Sequence, residues 1–514
     1  ETLVIATIEQ SGFRILGWRA VPTDNRSLGA TALASEPVVR QILLQHAQGH
    51  SGTALDRELF VLRRRLEQTI AALDPAIAEA TYICSLDRQR LVYKGQLTNH
   101  QLRTYYPDLG DPDFTSALAL VHSRFSTNTL GSWPLAHPYR ALVHNGEINT
   151  YRGNLNRMRA REANIRHPAL DDHLDQLRPL VTPGRSDTAL FDEVLDLLAL
   201  GERELPHVLR MMVPEAWQKD PEMPRSRQAW YDYHSLFMEP WDGPALVVAT
   251  DGHQVGAVLD RNGFRPCRYE ITTDNRLILA SEAGVLDTPA SEIRHRGRLG
   301  PGQMIVTDPE QGKVREGADV FADFPDHPHE TWLDEHRVRL DDRLLDPCAN
   351  ATVEITDLHA HQRAAGYTVE DLEHTLRPMV ADAADPVGAM GNDTPPATLA
   401  RNTARLPDYF RQLFAQVSNP AIDYLREDRV TSLITHIGPE HNLLADGPEH
   451  CRRIQLDSPV LTATRMDALH ALADQGFRAV TLDTTFAPDQ ALESALEALC
   501  TRAAEIANSG CELL

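Results

Sequence analysis

Leu59, Leu62, Leu66, Ile70 and Leu73 recur at three- and four-residue spacing through residues 58–75, which predicts an amphipathic helix. The arginines between them read as its solvated face. A second helix is predicted where Ser186 or Asp187 caps a run with Leu190, Phe191, Val194, Leu197 and Leu198 on one face, and Gly201 ends it. Elsewhere the apolar runs are short. Residues 81–95 read as two strands around a polar turn, and further strands are predicted within 117–125, 141–150, 244–252, 253–263 and 275–284. Many strands with few helices predict an α+β domain over roughly the first 320 residues. Residues 316–360 are acidic and weakly periodic, and read as a linker or a surface-wrapping connection. The texture then changes. "TVEDLEHTLRPMVA" predicts a helix, "PVGAMGNDTPPATL" (386–399) a tight loop rich in Gly and Pro, and "SPVLTATRMDALHALADQGFRAVTLDTTF" a strand–helix–strand unit. A last helix, about 489–507, leads into 510–514, which looks like the opening of another strand, so this part reads as α/β.

Length and composition narrow the choices. At 514 residues the chain exceeds one core, and two or more domains are expected. No stretch approaches the apolar length of a membrane span, and no membrane is expected as partner. The formal net charge of −23 argues against a general nucleic-acid or anionic-membrane binder, since both need a basic footprint. Six cysteines, at 84, 267, 348, 451, 500 and 511, show no Cys-x-x-Cys spacing, which fits a reduced, cytoplasmic setting. The His-bearing stretches 326–330 and 357–363 lack clustered partners, so no metal site is expected. P-loop and G-x-S-x-G patterns are absent. The chain opens on Glu1 with no export signal and reads as a piece of a longer protein, cut inside an α/β region at its other end.

The candidate chemistry centres on "ALVHNGEINT" (141–150). Asn145-Gly146 is a strong hairpin signal, because both residues tolerate positive φ. The same pair suits an oxyanion hole, with one side-chain amide and one backbone N–H aimed at developing negative charge. Arg124, His137 and Asp187 flank it in sequence at element ends, where functional groups are commonly displayed. Each also has a plain structural reading: a surface ion pair for Arg124, a packed ring for His137, a helix cap for Asp187.

Taken together, "HSRFSTNT", "SWPLAHPYR", "HNGEINT" and "RGN" resemble the glutamine amidotransferase domain of glutamate synthase large chains. So do "LGWRAVPTD", "ICSLDRQRLVYKGQL" and "DRNGFRPCRY" in the same half, while "PVGAMGNDTPPATL" and "FRQLFAQVSNPAIDYLRE" are similar to that family's central domain. The resemblance implies an N-terminal-nucleophile hydrolase fold of αββα type over residues 1–320, a linker over 321–360 and an α/β central domain over 361–514. It places the glutamine α-carboxylate on Arg124 and the α-amino group on Asp187, makes Asn145 and Gly146 the oxyanion hole, and sets His137 near the glutamine pocket. The family's nucleophile is an N-terminal Cys, which none of the six cysteines matches, so the chain alone is expected to be inactive. For the complete enzyme the resemblance implies ammonia transfer to an FMN site that aminates 2-oxoglutarate, with FMN and a 3Fe-4S cluster held outside this chain. It further implies electrons from a small NADPH-oxidising subunit or from ferredoxin, and an oligomer. A glutamine-sensing or scaffold homologue that lost its Cys is the main rival, and a stand-alone amidotransferase for another acceptor is a second.

Overall fold

A computed structural model describes residues 1–125, 131–171, 173–201, 203–344, 356–384 and 422–514. Residues 1–344 and 425–514 form one compact unit, and 345–424 a second. The loop 386–399 lies outside the described residues.

In the first unit, β1 (Phe13–Ala20) and β2 (Arg40–His46) pair antiparallel. Ile8, Phe13, Leu59, Leu62 and Leu66 form a core between this hairpin, the helix Thr2–Gln10 and the helix Gly52–Ala71. The last of these is the helix predicted over 58–75. Its arginines are not a solvated face. Arg63 and Arg64 are only 3% and 4% exposed, because Asp196, Glu67 and the Pro179 carbonyl face them from packed elements.

The main sheet starts with three antiparallel strands, β3 (Leu142–Gly146), β4 (Ala245–Thr250) and β5 (Val255–Leu259). The chain then leaves to build a separate antiparallel sheet from β6 (Arg268–Thr272), β7 (Leu277–Ala280) and β8 (Ile293–Arg298). It returns as β9 (Met304–Asp308) and β10 (Lys313–Glu316), completing the five-stranded order β10-β9-β5-β4-β3. Side-chain alternation makes the layers. Leu246, Ala257, Leu259 and Ile305 pack against Tyr269, Ile271, Leu277 and Leu279 of the second sheet. Ala245, Val247, Val258, Met304 and Val306 point the other way, onto Leu190, Val194 and Leu197 of the helix Asp187–Leu198 and Val208 and Leu209 of the helix Leu205–Met212. Helices, sheet and sheet are thus stacked in that order, with β3 on the edge.

Two predicted strand regions are irregular. Residues 81–95 hold no strand; Asp87 Oδ1 accepts the N–H groups of Gln89 and Arg90, and Arg90 reaches the Thr250 carbonyl. Side-chain bonds replace a ladder there. Residues 117–125 likewise lack a strand, although 244–252, 253–263 and 275–284 carry β4, β5 and β7 as expected.

Of the two readings for 316–360, the surface-wrapping one describes 317–344. Val320 and Leu333 are buried, and Phe321 and Phe324 sit 5.3 and 5.4 Å from the Trp230 ring. This stretch also supplies β11 (Val338–Arg339) to a sheet of order β11-β13-β12, with β12 (Thr435–Ile437) and β13 (Ile454–Leu456). Of the predicted strand–helix–strand over 458–486, the helix is present as Ala463–His470. The first strand is not, since 458–461 are irregular and β13 ends before them at Leu456, and the second is reduced to a single parallel bridge, Ala479 to Leu513. The helix Leu492–Asn508 and the bridge at Leu513 match the expected final helix and strand opening. In the second unit the described residues include the helices Leu358–Ala364 and Arg377–Asp382.

Candidate active site

Asn145-Gly146 is not a hairpin turn. Both residues end β3, Asn145 opposite Leu246 and Gly146 opposite Ala245. Gly146 has φ +141°, and a Cβ there would meet the Pro244 carbonyl oxygen at 1.8 Å. Glycine is needed for the close approach of two backbones, not for reversing the chain.

The register decides which backbone groups are free. Thr250 N–H donates to the Ala141 carbonyl at 2.8 Å, Glu147 N–H to Pro244 at 3.0 Å and Asn149 N–H to Asp242 at 2.8 Å. Odd-numbered positions therefore bond to β4, and even-numbered ones face the outer edge. Everything on that edge agrees. Tyr139 N–H donates to the Leu142 carbonyl at 3.0 Å, and His122 Nε2 to the His144 carbonyl at 2.9 Å. The Ile148 N–H donates to Asp187 Oδ2 at 2.9 Å. The same alternation turns the Gly146 N–H outward, between the His144 carbonyl and the Ile148 N–H. The half-buried Asn145 side chain leaves β3 perpendicular to that edge, on the sheet face of its pair partner Leu246.

Asp187 opens the helix Asp187–Leu198, and Ser186 is its cap, accepting from Ala189 N–H at 3.2 Å. Asp187 Oδ1 accepts the Thr188 N–H at 2.7 Å and the Thr188 hydroxyl at 3.2 Å. That hydroxyl in turn accepts from His144 Nδ1 at 3.0 Å. Three bonds thus fix the Asp187 carboxylate while leaving lone-pair capacity for one more donor.

Three imidazoles form the wall. A carbonyl only accepts, so His122 carries its proton on Nε2, and its Nδ1 accepts the Arg124 N–H at 3.2 Å. The His137 ring lies 4.2 Å from His122 at a 32° tilt and edge-on, at 4.9 Å, to Tyr139, whose hydroxyl meets Ser186 Oγ at 3.0 Å. Burial depresses all three imidazoles, His137 to about 3 and His144 to about 4, with His122 lowered as well. The trio is neutral near pH 7. The structure thus links Gly146, Asp187 and His137 through His122, His144 and Thr188. Arg124 follows His122 by two residues, and its exposed side chain makes no ion pair among the described residues.

His122, His144 and Thr188 were not singled out by sequence reasoning, although the first two stand inside "VHSRF" and "VHNGE". Asp260 was also missed. Its carboxylate accepts the N–H groups of Ala245 at 3.2 Å and Asn262 at 3.0 Å, tying the "DRNGF" turn to the residue paired with Gly146.

Of the described thiols, burial raises Cys84 above the ordinary range and pushes Cys267 and Cys451 to about 12, so these three are poor nucleophiles. Among the described residues, His46, His50 and Glu58 offer three ligand atoms within 4.8 Å of one another. The two rings stack at 4.1 Å and 18°, so their in-plane lone pairs run side by side and do not converge on one ion. No described helix is long and apolar enough to cross a membrane.

Residues 1–332 match the family profile described as "Glutamine amidotransferases class-II", and residues 360–514 that described as "Glutamate synthase central domain". The chain is 39% identical over 518 residues to the glutamate synthase (NADPH) large chain of Bacillus subtilis, covering 100% of this chain and 33% of that protein. It is 42% identical over 497 residues to the glutamate synthase (NADH) of Saccharomyces cerevisiae, covering 93% and 23%. Against the chloroplastic ferredoxin-dependent glutamate synthase of Spinacia oleracea it is 38% identical over 518 residues, covering 100% and 32%. The chain spans about a third or less of the length of these relatives. It belongs to the class-II glutamine amidotransferases and, within them, to the glutamate synthase family. The fold is accordingly an N-terminal-nucleophile type domain followed by an α/β central domain.

Proposed function

We propose that the outer edge of β3 is the glutamine-hydrolysing site of a glutamate synthase. The observation that carries this reading is the edge itself, where the outward Gly146 N–H lies two residues from the Ile148 N–H that anchors Asp187. Asp187 then receives the α-ammonium of glutamine on its remaining lone pair. The Arg124 guanidinium takes the α-carboxylate, a planar fork suited to two oxygens. As a thiol attacks the amide carbon, the carbonyl oxygen gains charge that the Gly146 N–H and the Asn145 amide stabilise. Collapse of that intermediate expels ammonia and leaves a thioester, which water hydrolyses to glutamate. Neutral His137 lines the pocket without placing a second cation beside the ammonium. The attacking thiol is assigned to the family's N-terminal Cys, since Cys84, Cys267 and Cys451 have raised thiols.

In the complete protein the ammonia passes to an FMN site that aminates 2-oxoglutarate. FMN and a 3Fe-4S cluster are held outside this chain, and a small NADPH-oxidising subunit or ferredoxin supplies electrons. The reading places the protein in the cytoplasm as an oligomer, with the amidotransferase domain at 1–320, a linker at 321–360 and the central domain at 361–514.

Calorimetric titration of L-glutamine into the 514-residue chain tests the binding half. Arg124→Ala and Asp187→Asn should each weaken binding at least about tenfold, as expected for loss of a charge-assisted contact. Unchanged affinity in both variants would place the glutamine elsewhere.

A further inference from the structure

A cavity of about 340 Å³ opens between the helix Tyr151–Arg161, the segment 230–240 and residues 431–440. Its charges do not balance. Five guanidiniums, those of Arg157, Arg161, Arg210, Arg261 and Arg453, line it against two carboxylates, Glu239 and Glu440. Arg261 is matched by Asp242 at 2.5 Å. The others are not matched one to one. Glu440 is shared by Arg161 at 3.0 Å, Arg453 at 3.6 Å and Arg157 at 3.8 Å, and Glu239 pairs with Arg161 at 2.8 Å. Arg210 donates to the Gly302 carbonyl at 2.6 Å. Four guanidiniums against two carboxylates leave two positive charges in excess, inside a chain of formal net charge −23.

Apart from Arg157, whose side chain is 55% exposed, this positive charge is not dispersed into water. Arg161, Arg210 and Arg453 are 3%, 1% and 4% exposed. Among the described residues, Arg161 Nη1, Arg210 Nε and the Trp230 indole N–H are buried donors with no hydrogen-bond partner. Buried charge and buried donors are each costly unless matched. Burial, reinforced by Arg157 and Arg161, holds Arg453 below its ordinary value despite Glu440.

We propose that this cavity is a binding site for a small dianionic oxyanion, the chemistry shared by inorganic phosphate and short dicarboxylates. Two negative charges neutralise the excess, arginine being the side chain suited to such anions. Neither step depends on the glutamine site on β3.

The test is calorimetry and thermal unfolding of the 514-residue chain with inorganic phosphate, with succinate, and with sodium chloride at equal ionic strength. Phosphate or succinate should give saturable heat and a rise in Tm that chloride does not reproduce, and the stronger of the two identifies the oxyanion. Arg157→Gln alters a side chain that is 55% exposed, so the fold is retained. It should weaken binding by about tenfold, the lower end for a charge-assisted contact, and Arg157→Lys should recover part of the loss. Glu440→Gln removes a competing negative charge and should tighten binding, a gain that a purely structural role does not produce. No saturable heat with either oxyanion, or affinities that ignore both Arg157→Gln and Glu440→Gln, would overturn the proposal.

Discussion

Gly146 shows how one residue's backbone carries the site. Its φ of +141° and the 1.8 Å approach of a hypothetical Cβ to the Pro244 oxygen mean that any side chain forces β3 away from β4 at the proposed oxyanion position. Gly146→Ala should therefore destabilise the fold by roughly 2–4 kcal/mol, the range for strain plus a backbone clash, measured by urea unfolding. A change within about 0.5 kcal/mol, typical of an unconstrained surface position, would show that the strand end is slack. Asn145, Gly146, Arg124, Asp187 and His137 could be marked as candidates from their motifs, because each stands in a distinctive local string. The hairpin expectation failed for a physical reason. An Asn-Gly pair reports tolerance of positive φ, and here that tolerance serves close strand packing. The links His122–His144 and His144–Thr188 could not be read, since they join residues 22 and 44 positions apart.

At the scale of elements, the helix Gly52–Ala71 and the helix Asp187–Leu198 are joined by charge. Arg63 bonds Glu67 at 2.7 Å and Asp196 at 2.5 Å, and Arg140 lies 3.2 Å from the fully buried Asp192. Asp192 Oδ1 also accepts the Ala141 N–H at 2.8 Å, directly before β3. Removing this carboxylate leaves a buried backbone donor unmatched and Arg140 with only the more distant Glu67 and Asp196, at 3.5 and 3.9 Å. Asp192→Ala should cost about 3–5 kcal/mol, the usual consequence of breaking a buried pair from one side, and chemical unfolding reads it. A loss below about 1 kcal/mol would make the network ornamental. Apolar spacing identified both helices, and Ser186, Leu190 and Gly201 marked one of them accurately. It misread the arginine face, because burial of Arg63 depends on Asp196, 133 residues away. Strands such as β8, "IRHRGR", and β10, "KVRE", carry too much charge to announce themselves, and their exposed positions explain why.

For the whole molecule, buried imidazoles set the response to acid. Burial lowers His137, His207 and His436 to about 3, and His144, His329 and His450 to about 4. Each is neutral when folded, whereas the unfolded chain takes up a proton on each below about pH 6.5. Their contribution is complete above that value and is lost as pH falls towards 4, by about 1.4 kcal/mol per pH unit for each proton taken up on unfolding. Glu67, held at about 2 by Arg63, Arg140 and Arg64 against the push of burial, extends the loss to lower pH. Urea midpoints should therefore fall from about pH 7 to about pH 5.5, with no compensating rise. A midpoint that climbs over this interval would mean that the imidazoles are not buried as described.

The central claim is that the edge of β3 stabilises an oxyanion, and glutaminase kinetics test it most directly. In a longer protein that carries the proposed N-terminal Cys, kcat and KM for glutamine are measured for wild type and Asn145→Ala. The account predicts a fall in kcat of roughly 10²–10³-fold with KM little changed, the usual cost of removing one oxyanion donor. An Asn145→Ala enzyme with wild-type kcat would contradict it.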